Sequence, residues 1–132
     1  MDASLSPRYA SPNIATQGFS MTLNHLWNAV AADICWSTPE ADADPCANVV
    51  DSDLMSDVLM TDEDRPLLLT SLVSDQSIRT AHVVGAAGVL IANNKTPPPE
   101  MVALATKLDI PLARTHLSKF EAAVALGKAL GR

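Results

Sequence analysis

Three polar loops able to bind an anion follow three apolar segments in the second half of the chain. The apolar segments lie at residues 67–70, 89–92 and 110–115. Hydroxyl, amide, imidazole and cationic side chains in the loops are hydrogen-bond donors to phosphate or carboxylate oxygens. The candidate ligand-binding residues are Ser71, Ser74, Asp75, Asn93, Asn94, Lys95, Thr96, Arg114, Thr115, His116 and Ser118.

A helical pattern follows each apolar segment, which predicts three strand-then-helix units in succession. Parallel strands that alternate with helices place their outgoing loops on one edge of a sheet, where open α/β proteins bind ligands. Free backbone amides at three helix starts, with Lys95 and Arg114 nearby, would suit an anion. The alternative is that Ser74, Thr96 and Ser118 only cap helices and that the other polar residues are ordinary loop residues.

The fold class predicted from this pattern is α/β, a single three-layer domain with a mainly parallel sheet of about five strands flanked by helices. The strands are expected at residues 33–36, 47–50, 67–70, 89–92 and 110–115. The first two are expected at a mixed or antiparallel margin of the sheet. The segment 67–70 is an unbroken apolar run, as expected for a strand that is covered on both faces.

Capping residues and apolar spacing predict where the helices begin and which faces they bury. The predicted N-caps are Thr22, Ser74, Thr96 and Ser118. Pro97 is expected at the first helical position, and Glu121 completes a Ser-x-x-Glu capping box. A further helix is expected at residues 51–61. The buried positions are expected to be Leu23, Leu26, Trp27 and Val30 on the first helix and Phe120, Val124 and Gly127 on the last.

Length and composition favour one globular domain. The chain has 132 residues, of which 48% are hydrophobic and 18% charged. Residues 1–18 lack apolar periodicity and are predicted to be a flexible N-terminal leader, followed by one domain at 19–132. The net charge of −6 disfavours a nucleic-acid partner, because phosphate binding requires clustered Lys and Arg.

The absence of a signal-peptide pattern and of a membrane-spanning run predicts a cytoplasmic protein. Cys35 and Cys46 are expected to be free thiols.

No sequence motif for catalysis or a cofactor is present. The loop that contains Lys95 and Thr96 lacks the glycines of a phosphate-binding P-loop, and no nucleophile elbow occurs. Asp51, Asp53 and Asp57 raise the possibility of a divalent cation, but their spacing fails the EF-hand pattern, so solvated or helix-capping carboxylates are favoured. His25 and His82 are expected to be structural. A small enzyme that uses His116 with Asp75 is the remaining catalytic alternative.

The chain resembles the DRTGG domain family, an α/β module found in HPr kinases, some phosphotransacetylases and some CBS-containing pyrophosphatases. The closest likeness is to small stand-alone members associated with iron-only hydrogenases. The resemblance rests on residues 50–60, 67–70, 86–92, 110–112 and 118–121. Two motifs differ: Asp75-Gln76 stands where the family's Asp-Arg pair follows a core strand, and residues 93–95 replace its Thr-Gly-Gly.

The resemblance implies a non-catalytic regulatory module and a homo-oligomer such as a homodimer. Together with the three loops, it predicts a ligand-sensing domain that binds an anionic small molecule such as an adenine nucleotide. The alternative is an accessory subunit that docks on a larger redox or phosphotransfer enzyme through the loop edge or a surface containing Trp27 and Trp36.

Overall fold

The polar and apolar segments fold into seven strands and five α-helices within residues 20–42 and 45–132, which are the residues that the computed structural model describes. The strands are β1 (Met21–Thr22), β2 (Asp33–Trp36), β3 (Pro45–Cys46), β4 (Val49–Asp51), β5 (Leu67–Thr70), β6 (Gly88–Ile91) and β7 (Leu112–Arg114). The α-helices are α1 (Leu23–Ala29), α2 (Met55–Val58), α3 (Asp75–Val84), α4 (Pro99–Leu108) and α5 (Lys119–Ala129). A 3-10 helix covers Pro39–Asp42.

The main sheet has five strands in the order β2-β7-β6-β5-β4. β4, β5, β6 and β7 run parallel, and β2 joins β7 antiparallel at the margin. This confirms the predicted fold class and the antiparallel margin for β2. β4 is instead parallel to β5, so its carboxyl end lies at the same edge as the ends of β5, β6 and β7. β1 and β3 form a separate two-stranded pair.

Helices cover both faces of the sheet, because the strand residues alternate between two apolar cores. Leu69 and Leu90 pack with α1 and α5 on one face. Leu68, Val89 and Ile91 pack with α2, α3 and α4 on the other. All four residues of β5 and all four of β6 are buried, as expected for strands covered on both sides.

The buried stripe of the first helix is confirmed, and it excludes one docking surface considered from the sequence. Leu23, Leu26, Trp27 and Val30 are all buried, with Trp27 only 1% exposed. A tryptophan on the inward stripe of α1 contributes its ring to the core, so the expectation that Trp27 lies on a surface is wrong. Trp36 is half-buried.

Two of the predicted helix starts are confirmed in full. The Thr22 side chain accepts a hydrogen bond from the His25 amide at 3.2 Å. Ser118 and Glu121 form the predicted capping box at the start of α5. Ser74 occupies the N-cap of α3, but its side chain makes no capping hydrogen bond. At the other end of α3, Gly85 is left-handed with φ of 68° and ends the helix.

The predicted start of α4 at Thr96 and Pro97 is wrong, because α4 begins at Pro99 with Pro98 as its N-cap. A residue that precedes proline is disfavoured from the helical region. Thr96, Pro97 and Pro98 each precede a proline, so Pro99 is the first residue in this run that is free to begin a helix.

The predicted packed face of α5 is also wrong. Phe120 is 77% exposed and Val124 is 40% exposed, whereas Ala122 and Leu126 are buried. The face that packs on the sheet is made of alanine and leucine, and small side chains let the helix approach its neighbours closely. The sequence prediction placed Phe120, Val124 and Gly127 on this face instead of the alanines.

The predicted helix at residues 51–61 is shorter than expected, since α2 covers only Met55–Val58. Asp51 instead ends β4. The predicted leader at residues 1–18 lies outside the described residues.

Both cysteines are free thiols, Cys35 half-buried and Cys46 buried. Desolvation by burial raises the pKa of each thiol above its ordinary value. Both are therefore protonated at neutral pH, and a protonated thiol is a poor nucleophile. Across residues 20–42 and 45–132, none of the helices combines the length and the apolar character needed to span a bilayer.

Candidate functional site

The parallel strands β4 to β7 bring their outgoing loops to one edge of the sheet, here called the carboxyl edge. It comprises residues 52–54, 71–74, 92–98 and 115–118, which follow β4, β5, β6 and β7 respectively. The convergence of the last three loops, expected from the sequence, is present because β5, β6 and β7 are adjacent and parallel. The sequence analysis did not predict that the loop after β4 also lies at this edge.

Asp53 organises the carboxyl edge between β4 and β5. One of its carboxylate oxygens accepts hydrogen bonds from the Thr70 hydroxyl at 2.8 Å and the Ser71 amide at 2.7 Å. The other accepts from the Ser71 hydroxyl at 2.6 Å. Burial alone would raise the pKa of Asp53, but the Ser71 and Thr70 hydrogen bonds and the Lys119 charge outweigh it and hold the pKa well below its ordinary value. Asp53 is therefore ionised and fixes the path of the chain where β5 ends.

Lys119, the first residue of α5, connects that helix to the same carboxylates. Its Nζ lies 3.2 Å from Asp51 and 3.3 Å from Asp53. Desolvation would lower the pKa of Lys119, but its hydrogen bonds to Asp51 and Asp53 and their negative charges raise it overall. Asp53 and Lys119 are thus structural residues of the edge that sequence reasoning missed. The available signal was the position of Asp53 two residues after a strand end, which becomes informative only once β4 is known to be parallel.

The loop after β6 is held in a left-handed turn and fastened to the loop after β7. Asn93 and Asn94 have φ angles of 64° and 58°, a conformation that asparagine tolerates better than most residues. The Asn93 amide donates to the Leu117 carbonyl at 2.7 Å, and the Asn94 amide donates to the Thr115 carbonyl at 3.0 Å. The Asn93 side chain accepts a hydrogen bond from the Lys119 amide.

Arg114 has most of its hydrogen-bonding capacity engaged within the protein. Its guanidinium donates to the Lys95 carbonyl and to the backbone and side-chain oxygens of Asn94. It also forms an ion pair with Asp33 at 3.0 Å. Arg114 therefore positions the loop that contains Lys95 and ties it to the marginal strand β2.

Lys95 is positioned differently from the other two cations of the edge. Its Nζ donates to the Ser71 carbonyl at 3.0 Å, which places the ammonium beside the loop that leads into α3. Lys119 and Arg114 have carboxylate partners, whereas Lys95 has none among the residues that the structure describes. Two of its three N–H donors remain for another acceptor.

The three helix starts at this edge differ in the backbone amides that they leave free. At α5, the amides of Ser118, Lys119 and Glu121 are occupied by protein oxygens. At α4, three consecutive prolines have no amide hydrogen to donate.

The start of α3 is more open. Within the described part of the chain, the amides of Ser74, Asp75 and Gln76 have no hydrogen-bond acceptor, as is usual for a first helical turn. The buried hydroxyl oxygen of Ser74 also has no hydrogen-bond partner among the described residues. Free donors therefore concentrate at one helix start instead of three.

The remaining candidate residues are buried, capping or exposed. The buried Thr115 donates its hydroxyl to the Val30 carbonyl at 2.7 Å, and Ser118 caps α5. Thr96 and His116 are exposed. Within the described residues, no hydrogen bond or ion pair joins His116 to Asp75, and the loops that carry them follow β7 and β5, which β6 separates.

Metal ligation has no structural support in residues 20–42 and 45–132, which contain no group of three or more His, Cys, Asp or Glu side chains able to hold an ion. Asp53 instead accepts hydrogen bonds from the protein, and Asp57 is exposed in the first turn of α2.

Comparison with solved structures identifies a similar fold. The chain matches, with a TM-score of 0.71 and 16% sequence identity, the CBS and DRTGG domains of the regulatory region of Clostridium perfringens pyrophosphatase, complexed with the activator diadenosine tetraphosphate. The match covers 92% of this chain and 52% of that one, so the chain spans about half of its structural neighbour. The similarity supports a DRTGG-like fold. No family model and no curated protein sequence matches the chain.

Proposed function

We propose that this protein is a non-catalytic regulatory module that senses an anionic small molecule, such as an adenine nucleotide, at the start of α3. The observation that carries the proposal is the Lys95 ammonium, which has no carboxylate partner in the described residues and lies beside the loop entering α3. A cation next to free helix-start amides is the arrangement that favours phosphate or carboxylate.

The groups around the α3 start give the proposed ligand a more specific chemistry. Lys95 and the amides of residues 74–76 are donors, which suit phosphate oxygens. Asp75 is exposed in the first turn, and its carboxylate can only accept hydrogen bonds, which suits a sugar hydroxyl. A nucleotide supplies both kinds of group. Ser71 and Ser74 complete the inner part of the proposed site.

The other residues proposed from the sequence form the surroundings of this site. Asn93, Asn94 and Arg114 hold the loop that presents Lys95, while Thr115 and Ser118 fix the neighbouring loop. His116 and Thr96 are exposed on the loops after β7 and β6, and they are proposed as secondary contacts. The DRTGG-like fold supports a regulatory role, since the similar protein is a regulatory region in complex with a nucleotide activator. A homo-oligomer remains a prediction.

We expect ATP or diadenosine tetraphosphate to raise the melting temperature in a screen that includes phosphorylated sugars and organic acids. Lys95→Gln should then weaken binding about tenfold or more, because a hydrogen bond to a charged group contributes about 1.5–3 kcal/mol. Isothermal titration calorimetry on the wild type and the variant measures this change.

The matched control is Lys107→Gln, which removes an exposed cation from the last turn of α4. The loop that contains Lys95 leads into the other end of that helix. Its affinity should stay within about twofold of the wild type. A screen without any hit, or an equal loss of affinity in both variants, would contradict the proposal.

A further inference from the structure

A second exposed feature lies beside the edge strand β4, in residues 51–64, here called the acidic segment. It contains three large apolar side chains that face solvent: Leu54 is 58% exposed, Leu59 is 50% exposed and Met60 is 80% exposed. Isolated exposed apolar residues are common on protein surfaces. Three within seven consecutive residues are a local concentration of exposed apolar surface, and such concentrations indicate interaction sites.

The same segment is anchored to the domain, so its outward side chains have a fixed base. Met55 and Val58 are buried in the core on the α3 side of the sheet. The Ser52 amide donates to the Leu69 carbonyl at 3.1 Å, and Asp53 is held by Thr70 and Ser71. The segment that carries Leu54, Leu59 and Met60 is therefore fixed to the core of the domain.

Carboxylates are interspersed with these apolar residues along the segment. Asp57, Asp62, Glu63 and Asp64 are exposed, and within residues 20–42 and 45–132 none of them has a basic partner. Asp51 and Asp53 are paired with Lys119. Residues 51–64 contain no lysine or arginine.

The charge indicates which occupant the surface fits. A second copy of the chain docked through this segment would bring equal carboxylates together about a two-fold axis, which is unfavourable. A basic partner would gain charge complementarity along the same surface. Complementary charge around a central apolar contact is the usual arrangement of a specific interface.

We infer that residues 51–64 form a docking surface for a basic amphipathic segment of another protein, in which lysine or arginine alternates with apolar residues. Leu54, Leu59 and Met60 provide the apolar contact, and the exposed carboxylates of Asp57, Asp62, Glu63 and Asp64 bind the cations. This inference goes beyond the proposed function, because it requires no small-molecule ligand and uses none of the residues at the start of α3.

The probe is a short fluorescein-labelled peptide of Leu-Lys-Lys-Leu repeats, with a Leu-Glu-Glu-Leu peptide as its acidic counterpart. Fluorescence anisotropy with the full chain should show binding of the basic peptide only, and the binding should weaken with salt. Met60→Ser should weaken it about tenfold, because it removes an exposed apolar side chain of the size that contributes about 1.5 kcal/mol when buried. Asp57→Asn should weaken it about threefold and reduce its salt dependence.

Two matched controls separate docking from general attraction to an acidic protein. Phe120→Ser removes an apolar side chain of similar exposure, 77% against 80% for Met60. Glu100→Gln removes a carboxylate from the first turn of α4, as Asp57→Asn does in α2. Both controls should leave peptide affinity within about twofold of the wild type.

Two outcomes of the anisotropy experiment would overturn the inference: no binding of the basic peptide, or equal effects of Met60→Ser and Phe120→Ser. Sedimentation velocity supplies another. A dimer that Met60→Ser converts to a monomer would identify a second copy of the chain as the occupant, against the inference.

Discussion

Replacing Asp53 with alanine is expected to destabilise the protein by about 2 kcal/mol. The substitution removes the acceptor for three donors, the Thr70 hydroxyl and the amide and hydroxyl of Ser71. A hydrogen bond to a charged group contributes about 1.5–3 kcal/mol, but the Asp53 side chain is 47% exposed, so water replaces much of what is lost and the total stays well below the sum of three such bonds. Urea denaturation at pH 7 measures the difference.

The pH dependence of this difference follows from the pKa of Asp53, which is lower in the folded protein than its ordinary value. A group with a lowered folded pKa contributes stability in full above its unfolded pKa, about 3.9 for Asp. That contribution is lost as the pH falls below this value and the carboxylate becomes protonated. The difference in the free energy of unfolding between wild type and Asp53→Ala should therefore be constant from pH 5 to 7 and decrease below about pH 4.

Asp57→Ala is the matched control, because Asp57 is an exposed carboxylate on the same segment that accepts no hydrogen bond from another side chain in the described residues. It should change stability by less than about 0.5 kcal/mol. Equal effects of the two substitutions, or a gap that persists unchanged at pH 3, would show that Asp53 is not the acceptor that organises the carboxyl edge.

Leu90→Ala is expected to have the largest effect on stability, about 3 kcal/mol. Leu90 is fully buried in β6, the middle strand of the five, and it contacts the core that α1 and α5 cover. Truncation of a buried leucine costs about 2–5 kcal/mol through lost burial and the cavity that remains. Urea denaturation monitored by circular dichroism measures the loss.

Val83→Ala provides the comparison, since Val83 is 71% exposed on α3. It should leave the free energy of unfolding within about 0.5 kcal/mol of the wild type. A loss below about 1 kcal/mol for Leu90→Ala would contradict the three-layer arrangement, in which β6 is covered on both faces.

The sheet could be predicted from the sequence because its signals are local and strong. The runs at residues 67–70 and 89–92 are apolar without interruption, and the alternation of strands with helices leaves few topologies open. The starts of α1 and α5 could also be predicted, from Thr22 and from Ser118 with Glu121. Each of these caps depends only on residues within one helical turn.

Other features depend on contacts between distant segments and were not predictable in the same way. β4 pairs parallel with β5, and only this pairing brings Asp53 to Ser71, eighteen positions away. The packed face of α5 depends on how closely the helix approaches the sheet, so the exposed Phe120 was misplaced. The start of α4 is an exception, because the effect of three prolines on the residues before them was present in the sequence.

The convergence of three loops at one edge of the sheet was predictable from the sequence, but the contacts of their side chains were not. Lys95 and Arg114 both looked like anion-binding cations, yet Arg114 is engaged by Asp33 and Asn94. Sequence spacing cannot show whether a cation already has a partner, since those partners lie on other strands. For the same reason, the occupied amides at the start of α5 could be seen only in the folded structure.

The proposed function requires an anion to bind at the start of α3 beside Lys95. The most direct measurement is a titration of the ¹⁵N-labelled protein with ATP, followed by the backbone amide resonances. We predict saturable shifts that are largest for Ser74, Asp75, Gln76 and Lys95, with small changes at Lys119 and Glu121, whose amides already have acceptors. Shifts centred on the start of α5, or no saturable shift at residues 74–76, would contradict the claim.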